Sequence, residues 1–141
     1  MSDKIAFVAS ARPEAQLALR SMIARYGQCD EADADVIVAL GGDGCMLDTL
    51  RRRFDDPRPV YGMNQGTIGF LMNDYTEERL IERLNSAERA VIYPLRMVAR
   101  TVAGETETSL AINEVSLLRQ SSQTAKLKIT IDGRVRMSSL A

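Results

Sequence analysis

Asp43 stands among glycines, in the run Gly41-Gly42-Asp43-Gly44. Glycine lets a backbone come close to an anion. The run follows the wholly apolar stretch Val36 to Leu40 and precedes Met46 to Phe54, whose apolar residues recur at helical spacing. A buried strand that breaks into glycines and restarts as a helix is a layout for binding phosphate. The helix start offers unpaired N–H groups and the positive end of its dipole. The carboxylate is the odd member, because it would repel a phosphate. It needs a separate task, either taking a proton or holding a metal. The alternative is a tight strand-to-helix turn with Asp43 as the helix N-cap. Neither common nucleotide loop, G-x-x-x-x-G-K-[ST] or G-x-G-x-x-G, is present.

Other residues could join this chemistry. Asn64 to Leu71 is a second glycine-bearing loop after an apolar run. Asn113-Glu114 interrupts an apolar stretch from Leu110 to Leu118. A polar pair in a buried strand must find partners, although a strand end or bulge would also account for it. Arg51, Arg52 and Arg53 fall on the outer side of their helix, solvated, with one able to reach a phosphate. The chain has no histidine, so acid–base work must come from Asp, Glu, Lys or Tyr. Cys29 and Cys45 suit a reducing compartment rather than a disulfide scaffold. Cys45 sits at a helix start, where a thiol can be acidified, but no partner base lies near it in sequence.

Bulk properties exclude several classes. A net charge of −1 over 141 residues gives no broad attraction to nucleic acid or to a membrane surface. Aromatic residues are only 5% and tryptophan is absent, which argues against a base-stacking platform. No apolar run approaches the roughly 20 residues of a membrane span. The first residues lack a signal-peptide pattern, and a cytoplasmic location is expected.

The positioning elements follow from periodicity. Ile5 to Ala9 reads as a parallel strand. Pro13 opens a helix with Leu19, Met22, Ile23 and Tyr26 inward and Gly27 as its stop. Val36 to Leu40 is a strand covered on both faces. Met46, Leu47, Leu50 and Phe54 form one helix face, and Val60 to Met63 is a third strand. Thr76 should cap a helix with Glu77 and Glu78 in its first turn and Leu80, Ile81 and Leu84 inward. This alternation implies a Rossmann-like parallel α/β domain, residues 1–93. Its ligands should collect at the carboxyl edge of the sheet. Residues 94–141 read instead as antiparallel β. Leu95, Met97, Ala99 and Thr101 alternate with polar or smaller apolar neighbours. Leu110 to Leu118 is strand-like, and Leu127, Ile129 and Ile131 lead into an Asp132-Gly133 hairpin turn. A sheet with one apolar face must be covered, so this second part is expected to be incomplete, covered by another copy or by more of a longer protein.

Three motifs together carry a resemblance. Gly41-Gly42-Asp43-Gly44, Gly66-Thr67-Ile68-Gly69-Phe70-Leu71 and Asn113-Glu114 appear in the order and approximate spacing of NAD kinases. The chain resembles the bacterial members along almost its whole length, through the α/β domain and the opening strands of the β domain. The first motif is shared with diacylglycerol-type lipid kinases and phosphofructokinases; the other two make the match specific. The resemblance implies phosphoryl transfer from ATP, or sometimes polyphosphate, to the 2′-hydroxyl of the adenosine ribose of NAD, giving NADP. It also implies a divalent metal, usually Mg²⁺, and a dimer or tetramer. Asp43 matches the proton acceptor, and Gly42 and Gly44 would bring backbone N–H groups to the phosphates. Phe70 matches the residue beside the adenine, and Asn113 and Glu114 the pair that hydrogen-bonds NAD. Lys126 falls near a position where the family often has a basic or histidine ligand.

The family continues with an Asp-Gly and then a glycine- and Ser/Thr-rich stretch ending in Ala-Tyr, which supplies much of the NAD pocket, partly from a neighbouring subunit. That stretch is not in this sequence. Little kinase activity is therefore expected of these 141 residues alone. Two alternatives stand beside the NAD kinase: a relative phosphorylating a lipid or sugar hydroxyl, and a non-catalytic nucleotide-binding or assembly module.

Overall fold

The computed structural model describes residues 4–66 and 69–140. Thr67 and Ile68 of the second glycine loop lie outside the described residues. Three parallel strands, β1 (Ile5–Ala9), β2 (Val36–Gly41) and β3 (Val60–Asn64), form one sheet in the order β1-β2-β3. The register pairs Ile5 with Val36 and Ala39 with Gly62. Central β2 is buried along its whole length, as its unbroken apolar run requires.

Alternation sorts the side chains to two faces. On one, Phe7, Val38, Leu40 and Met63 pack against Ala18 and Met22 of α1 (Pro13–Tyr26) and Leu80 of α3 (Leu80–Ser86). On the other, Ala6, Ala34 and Ile37 form a smaller cluster. There α2 (Asp43–Arg51) lies over β2 and β3 and buries Met46 and Thr49. Small residues let it approach. A Cβ on Gly62 would lie 3.3 Å from the Met46 sulfur, and one on Gly41 only 2.7 Å from Cys45 Cβ.

Two helix starts differ from expectation. Helix α2 begins at Asp43, with Gly42 as its N-cap, and ends at Arg51, so Phe54 lies beyond it. Helix α3 begins at Leu80, so Glu77 and Glu78 precede it, and Ile81 is exposed. Its cap comes from another helix. The Tyr26 hydroxyl donates to the Glu77 carbonyl (2.6 Å) and accepts from the Leu80 N–H (3.3 Å). Thr76 caps only locally, accepting the Glu78 N–H at 3.4 Å.

The arginine expectation also changes. Arg53 is not solvated: its side chain is 11% exposed and pairs with Glu31 (2.9 Å) and with Asp56. Arg58 joins Asp56 at 2.7 Å and donates to the carbonyls of Glu31, Ala32 and Ala34 at 2.5, 2.7 and 3.1 Å. This cluster ties the α2–β3 connection to the segment entering β2, at the edge opposite Gly41.

Beyond α3 the chain forms two antiparallel hairpins, β4 (Leu95–Arg100) with β5 (Thr106–Ala111) and β6 (Leu127–Ile131) with β7 (Arg134–Leu140). Asp132 and Gly133 make the second turn, both with positive φ. An α/β unit followed by antiparallel strands is the expected fold class. β5 ends at Ala111, so the stretch to Leu118 is not a strand. No described residue after Leu80 is buried, and Leu95, Val98, Leu127 and Ile131 are among the exposed apolar side chains. Among the described residues, no helix is long and apolar enough to cross a membrane.

Hydrogen bonding to Arg58 holds the Asp56 carboxyl well below the usual carboxylate range, against the effect of burial. The folded chain therefore takes up this proton less readily than the unfolded one. The stabilisation is complete above the ordinary carboxylate range and is lost as pH falls below it toward the depressed value. Resistance of the wild type to urea should weaken steeply below about pH 4. Asp56→Asn should be less stable near neutrality and lose stability less steeply in acid. Parallel curves for the two proteins would show that the pair contributes nothing.

Candidate active site at the carboxyl edge of the sheet

The ends of β1, β2 and β3 converge on one edge. The Ser10 N–H donates to the Leu40 carbonyl at 3.0 Å, and the Gln65 N–H to the Gly41 carbonyl at 2.7 Å. The second glycine loop leaves β3 here and folds back on itself. Asn64 N–H donates to the Asn73 carbonyl (2.8 Å) and Asn73 N–H to the Gly62 carbonyl (2.9 Å), which pins both ends of the loop.

Asp43 ties the tip of that loop to the first. Its Oδ2 accepts the Phe70 N–H at 3.0 Å and its Oδ1 accepts the Leu71 N–H at 2.9 Å. Asp43 is thus the first residue of α2 rather than its N-cap, and its side chain caps a different loop. A carboxylate offers about four lone-pair sites, so about two remain unfilled among the described residues. The approach is close: a Cβ on Gly69 would lie 2.8 Å from Asp43 Oδ1. Gly42 and Gly44 differ, since a Cβ on either meets nothing within 4 Å. Packing within the chain does not require glycine there. The Gly42 carbonyl accepts from Cys45 N–H (3.0 Å) and Met46 N–H (3.2 Å). The N–H groups of Asp43 and Gly44 have no acceptor among the described residues, as expected for a first helical turn.

The structure thus brings Gly42, Asp43, Gly44 and Phe70 together. The Phe70 ring is 96% exposed, so it is not a core residue. Asn113, Glu114 and Lys126 are not joined to them by any hydrogen bond or ion pair among the described residues. Asn113 has a left-handed backbone (φ 73°), and the Glu114 N–H donates to the Ile112 carbonyl at 3.0 Å. The pair occupies an exposed turn after β5 instead of a buried strand, so burial does not demand partners for it. Lys126 is exposed just before β6. Burial, followed by the charge of Asp48, raises the Cys45 thiol pKa, the reverse of acidification at a helix start. Sequence reasoning missed the Leu71 N–H as a partner of Asp43; nothing in an apolar side chain signals the use of its backbone.

The N-terminal domain model of the ATP-NAD kinases matches residues 8–90. The chain belongs to that family. Curated relatives named NAD kinase include one from Hyphomonas neptunium, 61% identical over 137 residues, which are 97% of this chain and 54% of that protein. One from Caulobacter vibrioides is 57% identical over 97% of this chain and 53% of its own length. A third, from Brucella suis, is 50% identical over 95% of this chain and 52% of its own length. The chain spans about half the length of the curated relatives it matches. The matched segment contains both glycine loops, and Asn113-Glu114 lies beyond it.

Gly69→Ala should push the Asp43 carboxylate off the second loop. The expected cost is about 1–3 kcal/mol, typical of overpacking, with faster amide exchange at Phe70 and Leu71. Unchanged exchange at both amides would mean that Asp43 does not hold the loop.

Proposed function

We propose that this chain carries the phosphate-loop side of an NAD kinase, which transfers a phosphoryl group from ATP or polyphosphate to the 2′-hydroxyl of the adenosine ribose of NAD. The observation that carries this is the Asp43 carboxylate, fixed between two glycine loops beside two unpaired helix-start N–H groups. Relatives named NAD kinase at 50–61% identity support the choice of acceptor. Asp43 takes the hydroxyl proton on its unfilled lone pairs as the new bond forms. The N–H groups of Asp43 and Gly44 face the donor phosphates, and the open space over Gly42 and Gly44 admits them. Phe70 presents its exposed ring to the adenine. Asn113, Glu114 and Lys126 complete the NAD side, from the second of two domains that divide near residue 93.

Among the described residues no group of three or more Asp, Glu, Cys or His could hold a metal. A divalent ion would be carried mainly on substrate phosphates, as Mg²⁺ commonly is, with Asp43 the carboxylate at hand. When bound, such an ion neutralises charge on the transferring group. The exposed apolar side chains of the hairpins support assembly as a dimer or tetramer, and the two free cysteines support a cytoplasmic setting.

The two amide contacts also favour a second reading, in which Asp43 only staples the loops. Asp43→Asn separates the two. An asparagine keeps one acceptor oxygen, so stability should fall by only about 1 kcal/mol. Assayed with the remaining, C-terminal half of the enzyme present, loss of a general base should lower NADP formation by about 10²–10⁴-fold with NAD binding retained. Unchanged turnover would leave the staple alone.

Gly44→Ala supplies an independent check. The added methyl meets nothing within 4 Å in the chain, and alanine is the better helix former by about 1 kcal/mol. Thermal stability should hold or rise, while ATP binding weakens because the methyl enters the phosphate space. A variant that is both more stable and equally tight for ATP would remove the phosphates from this loop.

A further inference from the structure

We propose that Arg12, on the turn between β1 and α1, is a phosphate-binding residue of this site. The inference rests on the phosphoryl-transfer reading above and adds a cation to it. An anion cradle that contains a carboxylate needs compensating positive charge. The arginines next in sequence after the first loop do not supply it. Arg53 and Arg58 are committed to Asp56 and Glu31 at the opposite sheet edge. Arg51 ends α2 and Arg52 is its C-cap, and at 1.5 Å per residue both stand roughly 12 Å along the axis from its start.

Arg12 lies at the working edge. Its Nη1 is 3.1 Å from the position a Cβ on Gly66 would take, so the guanidinium reaches from the first strand's turn to the second glycine loop. Gly66 has φ +155°, and its lack of a side chain leaves that space to the arginine. The turn is fixed: Pro13 follows at the helix start, Gln16 N–H donates to the Arg12 carbonyl (3.0 Å), and Gln16 Nε2 to the Ser10 carbonyl (2.8 Å). The side chain itself is exposed and has no ion pair or hydrogen bond among the described residues.

A second observation marks the same edge. Ser10 Oγ and Gln65 Nε2, on the residues following β1 and β3, are buried and without a hydrogen-bond partner among the described residues. Unpaired buried polar atoms are costly. Here they flank Gly41, beside an uncommitted guanidinium and two unpaired N–H groups. Donors left over at one place suit a ligand that brings many acceptors and negative charge, and the planar guanidinium fork matches phosphate oxygens. The geometry assigns the triphosphate end of the donor, or a polyphosphate, to this corner.

The test is calorimetric binding of Mg–ATP and of inorganic tripolyphosphate to the chain and to Arg12→Gln and Arg12→Lys. Arg12→Gln should weaken both ligands at least about tenfold, the scale of one charge-assisted hydrogen bond. Its thermal midpoint should not move, because no contact within the chain is lost, and Arg12→Lys should recover part of the affinity. Equal tripolyphosphate affinity in Arg12→Gln and the unsubstituted chain would overturn the proposal, as would a chain that binds neither ligand. The transfer chemistry is judged separately, by NADP formation in Asp43→Asn with the C-terminal half of the enzyme present. If Arg12→Gln loses tripolyphosphate while Asp43→Asn keeps its turnover, Arg12 stands and the assignment of the base fails.

Discussion

A single carboxylate holds together two loops that the sheet alone would leave independent. Strand pairing brings the ends of β2 and β3 side by side, but the loop after β3 runs on for several residues before Asn73 returns to the strand. Loop closure of this kind leaves conformational freedom at the tip. The two amides of Phe70 and Leu71 bound to Asp43 remove that freedom. Hydrogen bonds with an ionised acceptor are stronger than neutral ones, so one side chain suffices. Because Asp43 is the first residue of α2, the loop is referred to the helix start, and the exposed Phe70 ring is placed relative to the N–H groups there.

The glycines around this bond serve separate purposes. At Gly41 and Gly69 a side chain would collide with Cys45 or with Asp43 itself, so these positions allow close approach within the chain. At Gly42 and Gly44 the space is open and neither residue has positive φ. Neither strain nor packing accounts for glycine at the second pair. The motif thus divides into two glycines that the packing of the described residues requires and two that it leaves open, and the proposed phosphate site uses the open pair.

Sequence pattern sufficed where one physical signal dominated. The unbroken apolar run of β2, the Pro13 and Gly27 punctuation of α1 and the Asp132-Gly133 turn each admit few solutions, and each is found. It failed where a partner distant in sequence decided the outcome. The start of α3 depends on the Tyr26 hydroxyl of another helix, and Arg53 is buried by partners that only the β2–β3 pairing brings near. The polar pair Asn113-Glu114 was placed in a strand because flanking Leu110, Val115 and Leu117 are apolar. These residues are exposed and the strand stops at Ala111. Hydrophobicity signals burial only if something is available to cover it. Asp43 was readable as functional because its charge conflicted with its setting, but its amide partners carry no side-chain signature.

The distribution of charge across the sheet gives the two edges different characters. At the amino edge, Glu31, Arg53, Asp56 and Arg58 neutralise one another in a partly buried network, with Arg58 also closing three backbone carbonyls. Breaking such a network leaves a charge without its counter-ion, so it persists as a rigid clamp. At the carboxyl edge, among the described residues, the Arg12 guanidinium, the N–H groups of Asp43 and Gly44, and the buried Ser10 Oγ and Gln65 Nε2 stand without hydrogen-bond partners. The contrast is one of degree, since Arg53 Nε is also buried without a hydrogen-bond partner among the described residues, although its guanidinium is ion-paired. Basic and acidic residues are available in nearly equal number, 18 against 19. Polar groups left without partners in folding are available to a ligand, and a corner that collects them suits the anion-binding reading proposed above.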